Sequence, residues 1–122
     1  MTRHIIDLNA DAKTVQTRRL ADEEGRVLEG DPEQKIALHY SDGSGRLRVG
    51  QWISTPGKWR AFTNRDEYCY ILSGRCALIH EDGTRREFTA GSSFLIPDGF
   101  RGYWEVMETT EKHFVILTRD ED

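Results

Sequence analysis

Glu67–Gly74 (EYCYILSG) and Gly91–Gly99 (GSSFLIPDG) are the stretches on which the reading of this chain turns. In the first, a glutamate is followed by six residues and a glycine; in the second, a glycine is followed by five residues, a proline, one residue and a second glycine. Both are short branched and aromatic runs closed by a turn signal, the mark of a strand. The same punctuation continues on either side, at Asp42-Gly43, Pro56-Gly57, Ser73-Gly74, Asp82-Gly83, Ala90-Gly91 and Asp98-Gly99. The spacing predicts strands near 36–40, 46–54, 58–63, 67–72, 75–80, 85–89, 93–97, 102–108 and 112–118. Short strands in such close succession indicate an all-β sandwich or barrel.

A chain of 122 residues is sized for one domain with one core. Residues 1–35 read as a polar N-terminal arm packing on the barrel, with weak helical periodicity around Ala10 to Ala21 and a break at Gly30 to Pro32; residues 36–122 read as the barrel domain. Charged residues make up 31% of the chain and the net charge is −4, so no basic excess is available for phosphate backbones and no nucleic-acid partner is expected. No apolar run approaches the roughly 18–20 residues of a membrane span, and the N-terminus lacks the apolar centre of a signal peptide. A cytoplasmic location without membrane association is the expectation. Cys69 and Cys76 accordingly read as reduced, buried thiols.

Gly50, Trp52, Pro56 and Gly57, then EYCYILSGR, EDGT, AGSSFLIPDGF, Gly102, Trp104-Glu105-Val106 and Lys112-His113 together carry a resemblance. From Gly50 to Leu117 the chain resembles the small single-domain cupins grouped with the cupin domain of ureidoglycine aminohydrolase, with Ser92 departing from the Asp common after the Ala-Gly turn. The resemblance implies an RmlC-like double-stranded β-helix, the cupin jelly roll. It implies no reaction, because one fold hosts many. Metal-binding cupins carry a His-x-His pair just before the glutamate, where this chain has Ala61, Phe62, Thr63, Asn64 and Arg65. Their third histidine would fall at Gly102, so of the usual four ligands only Glu67 is retained.

Successive strand residues point to opposite faces, so Glu67, Cys69 and Ile71 share one face and Tyr68, Tyr70 and Leu72 the other. The resemblance assigns Glu67 to the interior. If Ser73-Gly74 is a two-residue turn, Glu67 faces His80 across the hairpin; a bulged turn slips that register by one. A buried carboxylate needs a partner, and His80, His113, Arg60, Lys112, a bound cation or a ligand amine are the candidates. Glu67 is the candidate catalytic acid or base, and Trp52, Arg60, Cys69, Tyr70, His80, Phe100, Arg101, Trp104, Lys112 and His113 are the candidate ligand-binding residues, with Trp59 a further possible wall. Arg101 and Lys112, near the barrel mouth on the family template, favour a small anionic ligand.

Metal sites of borderline cations need three or four convergent imidazole, carboxylate or thiolate groups. The conceivable set here is Glu67, His80 and His113, so the expectation is no cofactor, with a divalent metal as the minority alternative; relatives that hydrolyse ureidoglycine use manganese. The sequence has no Gly-rich phosphate loop, no Cys-x-x-Cys and no Gly-x-Ser-x-Gly elbow. Arg85-Arg86 and the Asp120–Asp122 tail read as solvated surface. Three functions follow: a small-molecule site beside Glu67, a non-catalytic binding or assembly module, or a hydrolase with an unusual metal site. Whether the protein is an enzyme is left open by the sequence, and a homodimer is expected on any of them, since twofold dimers are the commonest closed assembly.

Overall fold

The computed structural model describes residues 4–10, 12 and 14–119. Nine strands run β1 Thr14–Arg19, β2 Val27–Gly30, β3 Glu33–Ser41, β4 Leu47–Ser54, β5 Gly57–Arg60, β6 Arg65–His80, β7 Arg85–Thr89, β8 Ser93–Ile96 and β9 Gly102–Thr118. They form one curled antiparallel sheet in which β1, β3, β4, β9, β5 and β2 are neighbours in that order and β6 joins β9 to β7 and β8. This is the expected all-β jelly-roll barrel. Its two longest strands hold it together: β9 lies between β4 and β6 over its C-terminal half and between β5 and β6 over its N-terminal half. No helix among the described residues is long and apolar enough to cross a membrane.

Two predicted hairpins are absent because each pair of predicted strands is one long bent strand. Residues 67–72 and 75–80 belong to β6, and 102–108 and 112–118 belong to β9. Ser73-Gly74 is a bulge, marked by register shifts against β9 between Ile71 and Arg75. Gly74 has φ 93°, and a Cβ there would lie 2.2 Å from the Thr109 carbonyl oxygen, so glycine lets the strand bend without a turn. Glu67 and His80 consequently sit at opposite ends of β6, and Glu67 pairs with Ile116 and Ile96 instead.

The helical periodicity read over Ala10–Ala21 is also corrected. Thr14–Arg19 is strand β1, paired with β3 from Thr14↔Leu38 to Arg19↔Glu33, and Leu20–Asp22 is a short 3-10 turn. Branched Thr14, Val15 and Thr17 suit a pleated strand, and the free edge of β3 supplies the backbone partners a short helix would lack. Positions 11 and 13, like the Asp120–Asp122 tail, lie outside the described residues. The arm therefore contributes two strands to the sheet, β1 on β3 and β2 on β5.

The interior is aromatic and aliphatic. Trp52, Trp59 and Trp104 form a cluster with ring centroids 5.6 to 6.3 Å apart, and Phe94 bridges Trp104 to Phe88. Cys69 and Cys76 are buried free thiols, as their composition suggested. Outside, the residues in register across five strands, Leu95, Tyr68, Val115, Val49 and Tyr40, form an apolar row on the convex face.

Gly74→Ala should destabilise the fold by about 2 kcal/mol or more, since it combines a left-handed backbone with a backbone clash. Urea unfolding followed by tryptophan fluorescence measures the loss; an unchanged midpoint would show that the bulge tolerates a side chain.

Candidate functional site

The inner-face residues of β4, β9 and β6 lie in register as Arg48, Ile116 and Glu67 in one row and Trp52, Lys112 and Ile71 in another. The alternation of the strands puts Lys112, Phe114 and Ile116 inward and His113 and Val115 outward. Lys112 runs along the barrel from its own row towards that of Glu67. Its Nζ donates to Glu67 Oε2 at 2.5 Å and lies 3.6 Å from Cys69 Sγ, while the Cys69 thiol donates to the same carboxylate oxygen at 3.3 Å. The ammonium also sits 4.4 Å from the Trp52 ring and 4.2 Å from that of Trp104, giving it two aromatic faces as further neighbours.

Both members of the ion pair are buried, at 9% and 4% exposure. Burial pushes the Glu67 carboxyl up, but the charge and hydrogen bond of Lys112, with the Cys69 thiol and Arg65 behind them, hold it below the ordinary carboxylate range. Burial likewise pulls the Lys112 ammonium down, and Cys69 and Glu67 reverse the effect, leaving it above the ordinary lysine range. The Cys69 thiol is pushed far up by burial and stays protonated at neutral pH. Glu67 is therefore ionised at neutral pH and paired with Lys112.

Above this pair lies a cavity of about 180 Å³ walled by Trp52, Trp59, Trp104, Phe114 and Ile116 and rimmed by residues of β1, β3 and β4. Three partly buried arginines point into it: Arg18 from β1, Arg48 from β4 and Arg65 from β6. Arg18 Nε donates to Gln34 Oε1 at 2.9 Å, and Arg48 Nη2 donates to Thr118 Oγ1 at 3.1 Å. The Nε groups of Arg48 and Arg65 are buried and donate to no described residue. Arg18 and Arg65 stand 5.3 and 4.9 Å from the Phe62 ring, which Arg26 also covers at 4.0 Å. Burial lowers the affinity of Arg65 for its proton, and although Glu67 opposes this, Arg48, Arg18 and Arg26 add to it. Burial does the same to Arg18, where Glu23 opposes it and Arg26 reinforces it.

Of the residues singled out from the sequence, Glu67, Trp52, Trp104 and Lys112 line the cavity together with Trp59, and Cys69 lies beneath it. The others are elsewhere. Tyr70 and His113 are paired with each other on the outer face, because each is one residue out of phase with its inward neighbours. His80 is exposed at the far end of β6 and meets Phe100 edge-on at 5.2 Å. Arg60 and Arg101 are exposed and outside the cavity lining. Arg18, Arg48, Arg65, Phe62 and Gln34 were missed by sequence reasoning. Two of them had a signal in the strand period: Arg65 is two residues from Glu67 and Arg48 four from Trp52, so each shares its face. Arg18 had none, since its segment carried a helical pattern.

The metal set Glu67, His80 and His113 is not assembled. No cluster of three His, Cys, Asp or Glu side chains able to hold a metal occurs among the described residues. Gly102, where the resemblance would place the third histidine, packs so that a Cβ would meet the Ile79 carbonyl oxygen at 2.0 Å. Glu67, the one retained ligand position, already binds an ammonium. These residues do not fit the metal centre of the metal-binding cupins.

Breaking the buried pair with Lys112→Met should cost about 3–5 kcal/mol, while Glu67→Leu combined with Lys112→Met should recover most of that loss. The pH dependence follows from the same shifts. The contribution of Glu67 is complete above the ordinary carboxylate range and lost as pH falls through its lowered folded value; that of Lys112 is complete below the ordinary lysine range and lost as pH rises through its raised one. Denaturant midpoints across the pH range should fall at both extremes in the wild type and less steeply in the double variant; parallel profiles would overturn the assignment.

The comparisons with known proteins agree with this architecture. A protein of unknown function of the DUF861 family from Pseudomonas syringae pv. tomato superposes over 91% of this chain with a TM-score of 0.75 and 18% identity, and this chain spans 46% of that protein. A putative ethanolamine utilization protein Q from Salmonella typhimurium superposes over 71% of each chain, with a TM-score of 0.62 and 18% identity. A DUF861 family protein from Thermotoga maritima is 30% identical over 52% of this chain and 73% of its own, with a TM-score of 0.50. No curated protein matches the chain. The family model of the EutQ-like cupin domain matches residues 42–114, well over half the sequence, and the chain belongs to that family.

Proposed function

We propose that this cupin binds a small anionic molecule in the barrel cavity. One observation carries the reading: the cavity lining holds four cations, Arg18, Arg48, Arg65 and Lys112, against the single carboxylate Glu67, which Lys112 already neutralises. A surplus of like charge in a partly desolvated cleft is unfavourable without a counter-charge. Guanidinium forks at the rim would take the anionic group, the tryptophan wall would take the body of the molecule, and Lys112 would contribute charge from below. Glu67 serves by holding Lys112 in place. The hydrolase alternative with an unusual metal has less support, since its ligands are not brought together, and the narrower kinship with the ureidoglycine aminohydrolase cupins rests on the motif residues alone.

The assembly reading has its own observation. The row Leu95, Tyr68, Val115, Val49 and Tyr40 is flanked by Leu117 and Leu47 on one side and by Tyr70, His113 and Gln51 on the other. Leu95, Tyr68 and Tyr70 are 61%, 44% and 39% exposed. Of the carboxylates beside this band, Asp66 is bound to Arg119 and Glu111 accepts from Gln51 and Ser73. An exposed apolar band is complementary to its own copy across a twofold, and we propose it as the homodimer face. Tyr68→Asp should shift the sedimentation coefficient to that of the monomer; a wild-type protein already monomeric at high concentration would end this reading.

The ligand reading is tested by thermal denaturation with phosphate, sulfate and malonate against neutral glycerol. Anions should raise the midpoint, with about 2.7 kcal/mol of stabilisation at a hundredfold excess over Kd. Arg48→Ala and Arg65→Ala should remove the effect while Arg101→Ala retains it. Stabilisation by glycerol but not by the anions would refute the proposal.

A further inference from the structure

The arrangement of the cavity cations says more about the ligand than its sign. Arg18 and Arg65 flank a single aromatic ring, Phe62, and Arg48 is among the charges that act on both of them. Arg18 and Arg65 thus share one locus at Phe62, and Arg48 lines the same cavity. Arg26, the third cation near that ring, is bound to Glu23 and is not part of the lining. With Lys112 offset by Glu67, the uncompensated charge at the rim is that of three guanidiniums. A monoanion leaves most of that charge unbalanced. A compact head with two charges and several acceptor oxygens matches it, and can accept from several guanidinium N–H groups at once.

The space beneath is limited. A cavity of about 180 Å³ has room for a head and a short body. Trp52, Trp104 and Phe114 make that part of the wall apolar.

Building on the anion-binding reading above, we propose that the ligand is a small organic dianion with one compact head, of the phosphate monoester type, its head between Arg18, Arg48 and Arg65 and its short apolar body against the tryptophan wall. Extended dicarboxylates fit less well because Arg18 and Arg65 converge on one ring.

Calorimetric titration with methyl phosphate, methyl sulfate and malonate separates these features, because methyl sulfate has the shape of methyl phosphate but carries one charge at every working pH. At pH 8 methyl phosphate should bind about tenfold tighter than methyl sulfate, the worth of roughly one further charge-assisted hydrogen bond. That preference should fade towards pH 5, since a phosphate monoester loses its second charge below about pH 6 whereas the arginines keep theirs. Arg48→Gln and Arg65→Gln, with folding checked by circular dichroism, should each weaken methyl phosphate more than methyl sulfate. Equal binding of the two esters at pH 8, or tighter binding of malonate, would overturn the dianion inference and leave the anion site standing. Binding of none of the three by folded wild-type protein would remove both.

Discussion

The buried ion pair of Lys112 and Glu67 is the constraint around which the interior is arranged. Two opposite charges at 2.5 Å inside an aromatic barrel are tolerated only while each has the other and their remaining polar neighbours are in place. The Cys69 thiol completes the carboxylate's partners, and Trp52 and Trp104 cover the ammonium. That fixes the relative positions of β4, β6 and β9, the three strands from which these groups come. The register of those strands is in turn what brings Arg48 and Arg65 to the same end of the barrel as Glu67.

In the metal-binding cupins the retained glutamate serves as one ligand among four; here an ammonium on β9 takes the place of the cation it would help to hold. The exchange leaves Glu67 holding an internal cation instead of a bound one. With Glu67 paired to Lys112, the three arginines repel one another, and Glu67 and Glu23 oppose that repulsion only in part. Core packing elsewhere, above all the three-tryptophan cluster, offsets that cost.

How far the sequence could be read depended on the range of the interactions. Alternation along β6 identified Glu67, Cys69 and Ile71 as an inner face, and the same rule applied to β9 separates Lys112 from His113. It failed at Ser73-Gly74, where the local signal of a turn is identical to that of a glycine bulge; only the long partner strand β9 distinguishes them. The error displaced His80, which a hairpin would have set beside Glu67. It failed again at Thr14–Arg19, because an edge strand with one face in solvent has no strong pattern of its own and takes its conformation from β3.

The sequence by itself determined the all-β class, the cupin frame, the loss of the histidine ligands and the need of Glu67 for a partner, since each follows from residue type and short spacing. Tertiary structure alone decided that the partner is Lys112, 45 residues away, and that Arg18, Arg48 and Arg65, drawn from three strands, share one cavity. The reason is physical: side-chain period is a property of a single strand, whereas the pairing of charges across strands depends on register, and register is set where the strands meet.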